Sequence, residues 1–122
     1  MSRSVEDRLR DAISAVDRAI QADGQLAAAA EVGDEAGTEV AFDAILHNLF
    51  IIGEAIKTLP KAVTEQERGV PWEDIAGMRD IIGHHYHRIV PSIIHATIEH
   101  DVDPLRAALV RLLASGPSQA PD

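Results

Sequence analysis

The sequence contains no cysteine and very few aromatic residues, and both shortages restrict the class of protein. Without cysteine the chain has no disulfide framework, no thiol nucleophile and no thiolate ligand for zinc or an iron–sulfur cluster. Aromatic residues make up 3% of the chain, whereas apolar residues as a group make up 46%. A core of Ala, Leu, Ile and Val is typical of helical bundles, because strands favour aromatic side chains. We therefore expect an all-α fold.

Long apolar runs and phosphate-binding loops are also missing. No stretch of about 20 apolar residues is present, and the charged segment Met1–Arg10 has no apolar signal-peptide core. Neither the G-x-x-x-x-G-K-[ST] nor the G-x-G-x-x-G pattern occurs. We therefore expect a cytoplasmic protein with no membrane partner.

The 122 residues carry a formal charge of -9, which is distributed unevenly. Residues 1–46 hold a net charge of -6, whereas residues 47–100 hold -2 and contain all six histidines. This acidity disfavours nucleic-acid binding through a broad basic surface, so any RNA contact has to be local. A core of this size is modest, which favours a shared interface with a second subunit.

Apolar residues recur every three to four positions and predict helices. The first helix is predicted over Ser4–Ala30, with Ser4 and Asp7 forming a capping pattern. A glycine-containing acidic turn is predicted over residues 31–37, and the second helix over Thr38–Leu59.

The second predicted helix is apolar around most of its circumference, which requires cover on two sides. One side faces the protein's own bundle, and we expect the other to form a dimer interface that includes Phe50 or Ile51. Gly53 lies mid-helix despite a cost of about 1 kcal/mol relative to Ala, which predicts close helix packing there.

After Pro60 the pattern predicts a connector with one helical turn, where Thr64 and Glu67 form another capping pattern. A third long helix is predicted to begin at Ile75, with Asp74 as its N-cap.

The last part of the chain predicts another helix and a tail. Pro91 suits the first turn of a helix, and Asp103–Pro104 predicts a new turn or kink. We assign residues 1–114 to one helical domain and residues 115–122 to a disordered tail.

Residues 79–88 concentrate polar side chains, with two arginines, three histidines and a tyrosine. On a regular helix, Arg79 and His84 point roughly 140° apart and do not converge. A break at Gly83, or a twofold interface between two copies, would bring such groups together.

Arginine with histidine suggests chemistry at a phosphodiester. A guanidinium holds two phosphate oxygens, and imidazole exchanges a proton with a ribose hydroxyl or a leaving oxygen. RNA supplies its own nucleophile in such a reaction, so no metal is required.

Other interpretations of the same residues remain open. Arg79 also suits an ion pair with Asp80 or Glu73, and Tyr86 suits a core ring with its hydroxyl at the edge. Four histidines close in sequence are candidate metal ligands: His84, His85, His87 and His95. The i, i+4 pair of zinc helices is absent among the first three.

The chain resembles a known family at three blocks of sequence. Arg79-x4-His84-x-Tyr86 has the form R-x4-H-x-Y, and it follows the blocks Asn48–Pro60 and Pro71–Met78. Together they resemble the HepT-like toxin family of the HEPN superfamily over roughly residues 40–113, while the first forty residues match only as a leading helix.

The resemblance implies a dimer-forming antiparallel bundle of four to five helices that acts as a metal-independent RNase on tRNA or mRNA, without a cofactor. It implies a homodimer and, as partner, a nucleotidyltransferase antitoxin of the MntA type. Arg79 would bind the scissile phosphate, His84 would be the general acid–base and Asp80 would support the site. Tyr86 would be the hydroxyl that the antitoxin modifies with AMP, which silences the enzyme.

The sequence departs from the family at Gly83, where a larger apolar residue is common, and in carrying His85 and His87. The alternative function is a noncatalytic helical dimer that serves as binding partner of a nucleotidyltransferase.

Overall fold

The computed structural model describes residues 4–116, which form an all-α bundle as predicted. A 3₁₀ turn over Tyr86–Arg88 follows the fourth helix, and a π-helical turn over Ile98–Val102 joins the fifth helix to the sixth. Of the predicted tail, residues 115–122, the part from residue 117 onward lies outside the described residues. The helices are α1 (Val5–Glu31), α2 (Glu35–Lys57), α3 (Lys61–Thr64), α4 (Trp72–His85), α5 (Pro91–Thr97) and α6 (Asp103–Ala114).

Side-chain caps explain where the first two helices begin. The Ser4 hydroxyl accepts a 3.0 Å hydrogen bond from the Asp7 amide, as the sequence predicts. Gly33, with φ 72°, then turns the chain. Asp34 caps α2 by accepting from an amide in its first turn, so the helix begins before the predicted Thr38.

Two predicted caps in the connector are wrong. Thr64 lies inside α3, where its hydroxyl donates to the Lys61 carbonyl 3.2 Å away instead of capping a following turn. The Pro71 carbonyl accepts from the Ile75 amide at 3.1 Å, which makes Pro71 the N-cap of α4. Asp74 is therefore in the first turn, where its charge favours the helix dipole.

Proline also shapes the last helical segment. Pro91 lies in the first turn of α5, as predicted. Pro104 has no amide hydrogen to donate, and just before it the Asp103 amide bonds to the Ile98 carbonyl five residues back. The predicted change at Asp103–Pro104 therefore takes the form of a π-helical turn.

Helix α2 lies at the centre of the bundle. It packs against α1 on one side and α4 on another, while α1 also packs against α6. Phe50 and Ile51 are half-buried against this core, so one protomer covers part of the apolar width of α2. A dimer interface at these two residues stays a prediction. Within residues 4–116, no helix combines the length and apolar character needed to cross a bilayer.

Gly53 marks the closest approach of α2 to α4. A Cβ at this position would lie 3.1 Å from both the Cβ and the backbone nitrogen of Arg79, and 3.3 Å from the Ala76 carbonyl oxygen. The close helix packing predicted at Gly53 is confirmed.

Glycine-to-alanine substitutions at Gly53 and Gly83 should change stability in opposite directions. A Cβ at Gly83 would meet nothing within 4 Å, so Gly83→Ala gains helix propensity and raises the free energy of unfolding by up to about 1 kcal/mol. Gly53→Ala forces α4 away from α2 and should lower the free energy of unfolding by about 1 kcal/mol, since the steric cost exceeds the gain in helix propensity. Urea unfolding measures both. Equal stabilisation by the two substitutions would contradict the close packing.

His95 links α5 to α1 through Asp23, a contact that we call the His95 clip, and it also contacts Glu99 one helical turn later. Its Nδ1 lies 2.9 Å from an Asp23 carboxylate oxygen, and its Nε2 lies 3.0 Å from Glu99 Oε1. Carboxylates only accept, so both contacts are hydrogen bonds only when the imidazole is protonated. The Asp23 hydrogen bond, with the charges of Asp23 and Glu99, raises the pKa of His95.

Because the folded pKa is raised, the His95 clip should stabilise the protein fully below the unfolded value of about 6.5 and lose this effect as pH rises through the folded value. The difference in unfolding free energy between wild type and His95→Gln should therefore shrink as pH increases from about 6 to 9. Chemical denaturation across this range measures it, with Asp23→Asn expected to reproduce the trend. A difference that grew with pH would contradict the clip.

Candidate functional site

Three residues on one face of α2 surround the side chain of Arg79. Phe50, Gly53 and Glu54 have the spacing i, i+3, i+4, which puts them side by side on a helix. The Arg79 guanidinium carbon lies 5.9 Å from the centre of the Phe50 ring, and Gly53 leaves room for the Arg79 backbone. We call these three α2 residues the Arg79 cradle.

Glu54 supplies the charge in the Arg79 cradle. Its carboxylate forms an ion pair with Nε of Arg79, and that nitrogen is buried. The contact lacks the alignment of a hydrogen bond, so attraction between the charges holds it. Of the two carboxylates suggested by the sequence, Asp80 lies 3.9 Å from Nη1 of Arg79. The close charge partner is therefore Glu54, which sequence reasoning missed.

His84 is exposed, and the backbone of its own helix orients it. Its Nδ1 lies 2.9 Å from the Asp80 carbonyl oxygen, one helical turn earlier. A carbonyl oxygen only accepts, so Nδ1 must carry the proton. In neutral imidazole, Nε2 is then the unprotonated nitrogen that can accept a proton. Asp80 thus serves His84 through its backbone, while its side chain is exposed.

Of the two arrangements that the sequence left open, the break at Gly83 does not occur. Helix α4 continues through Gly83 to His85, because a glycine without positive φ is compatible with regular helical geometry. Arg79 and His84 therefore keep the angular separation of roughly 140° that a regular helix imposes. Arg79 faces α2, whereas His84 is turned toward solvent.

Tyr86 begins the 3₁₀ turn after α4 and is 43% exposed, which excludes the alternative of a core ring. Its hydroxyl donates a 2.7 Å hydrogen bond to Asp43 Oδ1 on α2. This hydrogen bond and the Asp43 charge raise the pKa of the Tyr86 hydroxyl above its ordinary value. The His87 ring meets the Tyr86 ring edge to face, with centroids 5.7 Å apart.

The histidines do not assemble a metal site within the part of the chain that the structure describes. Across residues 4–116, no group of three or more histidine, aspartate or glutamate side chains is arranged to hold a metal ion. His85 and His87 are exposed, and His95 is engaged by Asp23 and Glu99.

A groove of about 290 Å³ borders the motif on the side of α5. Ile81 and Ile93 contribute apolar walls that are 55% and 61% exposed. His85 and Arg88 lie at the same groove and provide polar groups. The surface beside the motif is therefore apolar with a basic edge.

Helix α2 supplies the site residues that the sequence did not reveal, namely Asp43, Phe50 and Glu54. They lie 25 to 43 positions before their partners, so local periodicity gives no sign of the pairing. The available signal was Gly53, which predicted the close packing, next to Glu54 in an otherwise apolar stretch.

Comparisons with known proteins point to one family. One relative is "Putative RNase" of Caldanaerobacter subterraneus subsp. tengcongensis. It is 41% identical to this chain over 70 residues, which is 57% of this chain and 62% of the relative. "Gamma-glutamylcyclotransferase and putative RNase" of Methanocaldococcus jannaschii is 31% identical over 71 residues, 58% of this chain and 32% of the relative. The chain thus spans less than two thirds of either relative.

A third relative matches along nearly its whole length. "Probable ribonuclease HepT" of Thermococcus cleftensis is 27% identical over 122 residues, covering 92% of this chain and 98% of the relative. No solved structure matches the chain. A family model described as ribonuclease HepT-like matches residues 9–112, which cover all or most of every long helix and the whole R-x4-H-x-Y segment. The chain therefore belongs to the ribonuclease HepT-like family.

Proposed function

We propose that this chain is a metal-independent endoribonuclease in which His84 and Arg79 act on the scissile phosphodiester. One observation carries the proposal: the 2.9 Å contact of His84 Nδ1 with the Asp80 carbonyl leaves Nε2 as a proton acceptor at the surface. Membership of the ribonuclease HepT-like family supports the same activity.

The proposed reaction uses the 2′-hydroxyl of RNA as nucleophile. Nε2 of His84 takes the hydroxyl proton, and the 2′-oxygen attacks the adjacent phosphorus. The bond from phosphorus to the 5′-oxygen breaks, and a protonated imidazole donates to that leaving oxygen. Arg79 binds the nonbridging oxygens, where negative charge increases in the transition state. The products are a 2′,3′-cyclic phosphate and a 5′-hydroxyl.

We propose a homodimer as the active form. Arg79 and His84 diverge on α4 within one protomer, and a twofold contact would place each motif against its copy. One His84 then takes a proton while the partner's His84 donates one. Exposed apolar side chains beside the motif support such a contact, including Ile81 and Ile93.

RNA, as tRNA or mRNA, is the proposed substrate, and its contact is local. The chain has a charge of -9, so most of its surface repels phosphates. Residues 79–88 contain Arg79, Arg88 and three histidines, which makes this segment the proposed RNA-binding site.

We further propose a toxin–antitoxin pair in which an MntA-type nucleotidyltransferase modifies Tyr86 with AMP. Tyr86 is exposed two residues after His84, and Asp43 accepts its hydroxyl hydrogen bond. In the transfer, the hydroxyl oxygen attacks the α-phosphate of ATP, pyrophosphate leaves and Asp43 is placed to take the proton. Attached nucleotides would block the motif and repel RNA phosphates, which silences the enzyme.

Wild-type protein should cleave RNA in excess EDTA, and His84→Ala should lower kcat/KM by about 10² to 10⁴-fold because the proton acceptor is lost. The assay follows a labelled RNA and analyses product ends for 2′,3′-cyclic phosphate. His100→Ala is the matched control, since His100 contacts the neighbouring Asp101 and has no role in the proposed reaction.

Full activity in His84→Ala would overturn the mechanism. No cleavage by unmodified wild type would favour the noncatalytic dimer that binds a nucleotidyltransferase. Light scattering of the same samples reports the oligomeric state, and a monomer that still cleaves would remove the homodimer from the proposal.

Tyr86→Phe should abolish AMP transfer by an MntA-type nucleotidyltransferase, because phenylalanine keeps the ring but lacks the nucleophilic oxygen. Intact mass after incubation with ATP measures the transfer. Tyr86 is the single tyrosine of the chain, so wild type is expected to gain AMP on one identifiable peptide. Equal mass gain in Tyr86→Phe would assign the modification to another residue.

A further inference from the structure

We propose that Glu54 is a positioning residue for Arg79: it holds the Nε side of the guanidinium so that the Nη1 and Nη2 groups face the scissile phosphate. This role deepens the proposed ribonuclease function and rests on it. Glu54 itself touches no reacting atom in this proposal, and it acts through Arg79.

The first argument is the geometry of the Arg79 cradle. Glu54 and Phe50 lie on the face of α2 that meets α4, on either side of the contact at Gly53. Because Gly53 has no side chain, the Arg79 backbone comes close enough for its side chain to lie along α2. The guanidinium is thereby limited to one region beside Glu54.

The second argument is the division of the guanidinium into a buried and an exposed part. The Arg79 side chain is 33% exposed, although its Nε is buried at the Glu54 carboxylate. The exposed area therefore belongs to other atoms of the side chain. A guanidinium is a rigid planar fork, so the ion pair at Nε and the Phe50 ring, 5.9 Å from the guanidinium carbon, together limit the directions in which the Nη1 and Nη2 hydrogens point.

The third argument concerns charge. Glu54 is 41% exposed and offsets the Arg79 charge, so it does not strengthen RNA binding at long range. An acidic residue at this place weakens phosphate attraction and improves orientation. The proposal therefore predicts that loss of the Glu54 charge lowers kcat without raising KM for RNA, which a simple attraction for RNA would not produce.

The test compares Glu54→Gln with Glu73→Gln. Both remove one negative charge while keeping side-chain size, but Glu73 is exposed in the first turn of α4 and lies outside the cradle. Glu54→Gln should lower kcat by roughly 10 to 100-fold through loss of orientation, with KM for RNA unchanged or lower. Glu73→Gln should keep the wild-type kcat.

A phosphorothioate substrate separates positioning from a loss of folded protein. Sulfur in place of a nonbridging oxygen accepts hydrogen bonds weakly, so it should slow wild type at the cleaved linkage. In Glu54→Gln the Arg79 contact is already impaired, and the ratio of oxygen to sulfur rates should move toward one. A smaller active fraction would slow both substrates equally and leave this ratio unchanged.

The Nε–H signal of Arg79 in a nitrogen–proton NMR spectrum tests the geometry without turnover. It is assigned by its loss in Arg79→Lys, and it should shift in Glu54→Gln but not in Glu73→Gln. If wild type cleaves RNA while Glu54→Gln keeps the wild-type kcat, thio ratio and Arg79 signal, the positioning role is overturned and the ribonuclease proposal stands. A wild type that does not cleave removes both.

Discussion

The contact between α2 and α4 at Gly53 is the constraint on which the candidate site depends. A Cβ at this position would lie 3.1 Å from the Arg79 backbone nitrogen, so the two helices meet this closely only across a glycine. This contact directs Arg79 inward, toward Phe50 and Glu54, rather than into solvent. The same packing buries Ile52 and Ile75 in the core, so stability and site geometry have a common origin.

Helix α2 acts as a platform for the R-x4-H-x-Y segment. Glu54 on α2 contacts Arg79 of the segment, and Asp43 on α2 contacts Tyr86. The acidic side chains on α2 thus contact polar groups near both ends of a segment that Ile82 also anchors in the core. His84 lies between these two attachment points and is oriented by a backbone carbonyl instead. Its orientation therefore depends on helix geometry rather than on a particular side chain.

Regular helical geometry has a direct consequence for chemistry. Because α4 stays helical through Gly83, the cation that would bind phosphate and the imidazole that would move the proton face different directions. In the proposed homodimer, two copies of the motif would supply the set of groups that one copy turns in different directions. The apolar surface beside the motif, with Ile81 and Ile93 exposed, is consistent with an association of that kind.

Local sequence determined most of the secondary structure and the identity of the motif. Apolar periodicity gave α1, α2 and the last helical segment, and Gly53 gave the close contact, because these features depend on neighbours within a few residues. The tertiary structure alone decided that α4 covers the second side of α2, that Glu54 is the close charge partner of Arg79, and that Asp43 binds Tyr86. Helical periodicity specifies which face of a helix is apolar but not which element packs on it, so pairings across 25 to 43 residues become visible only once the helices are assembled.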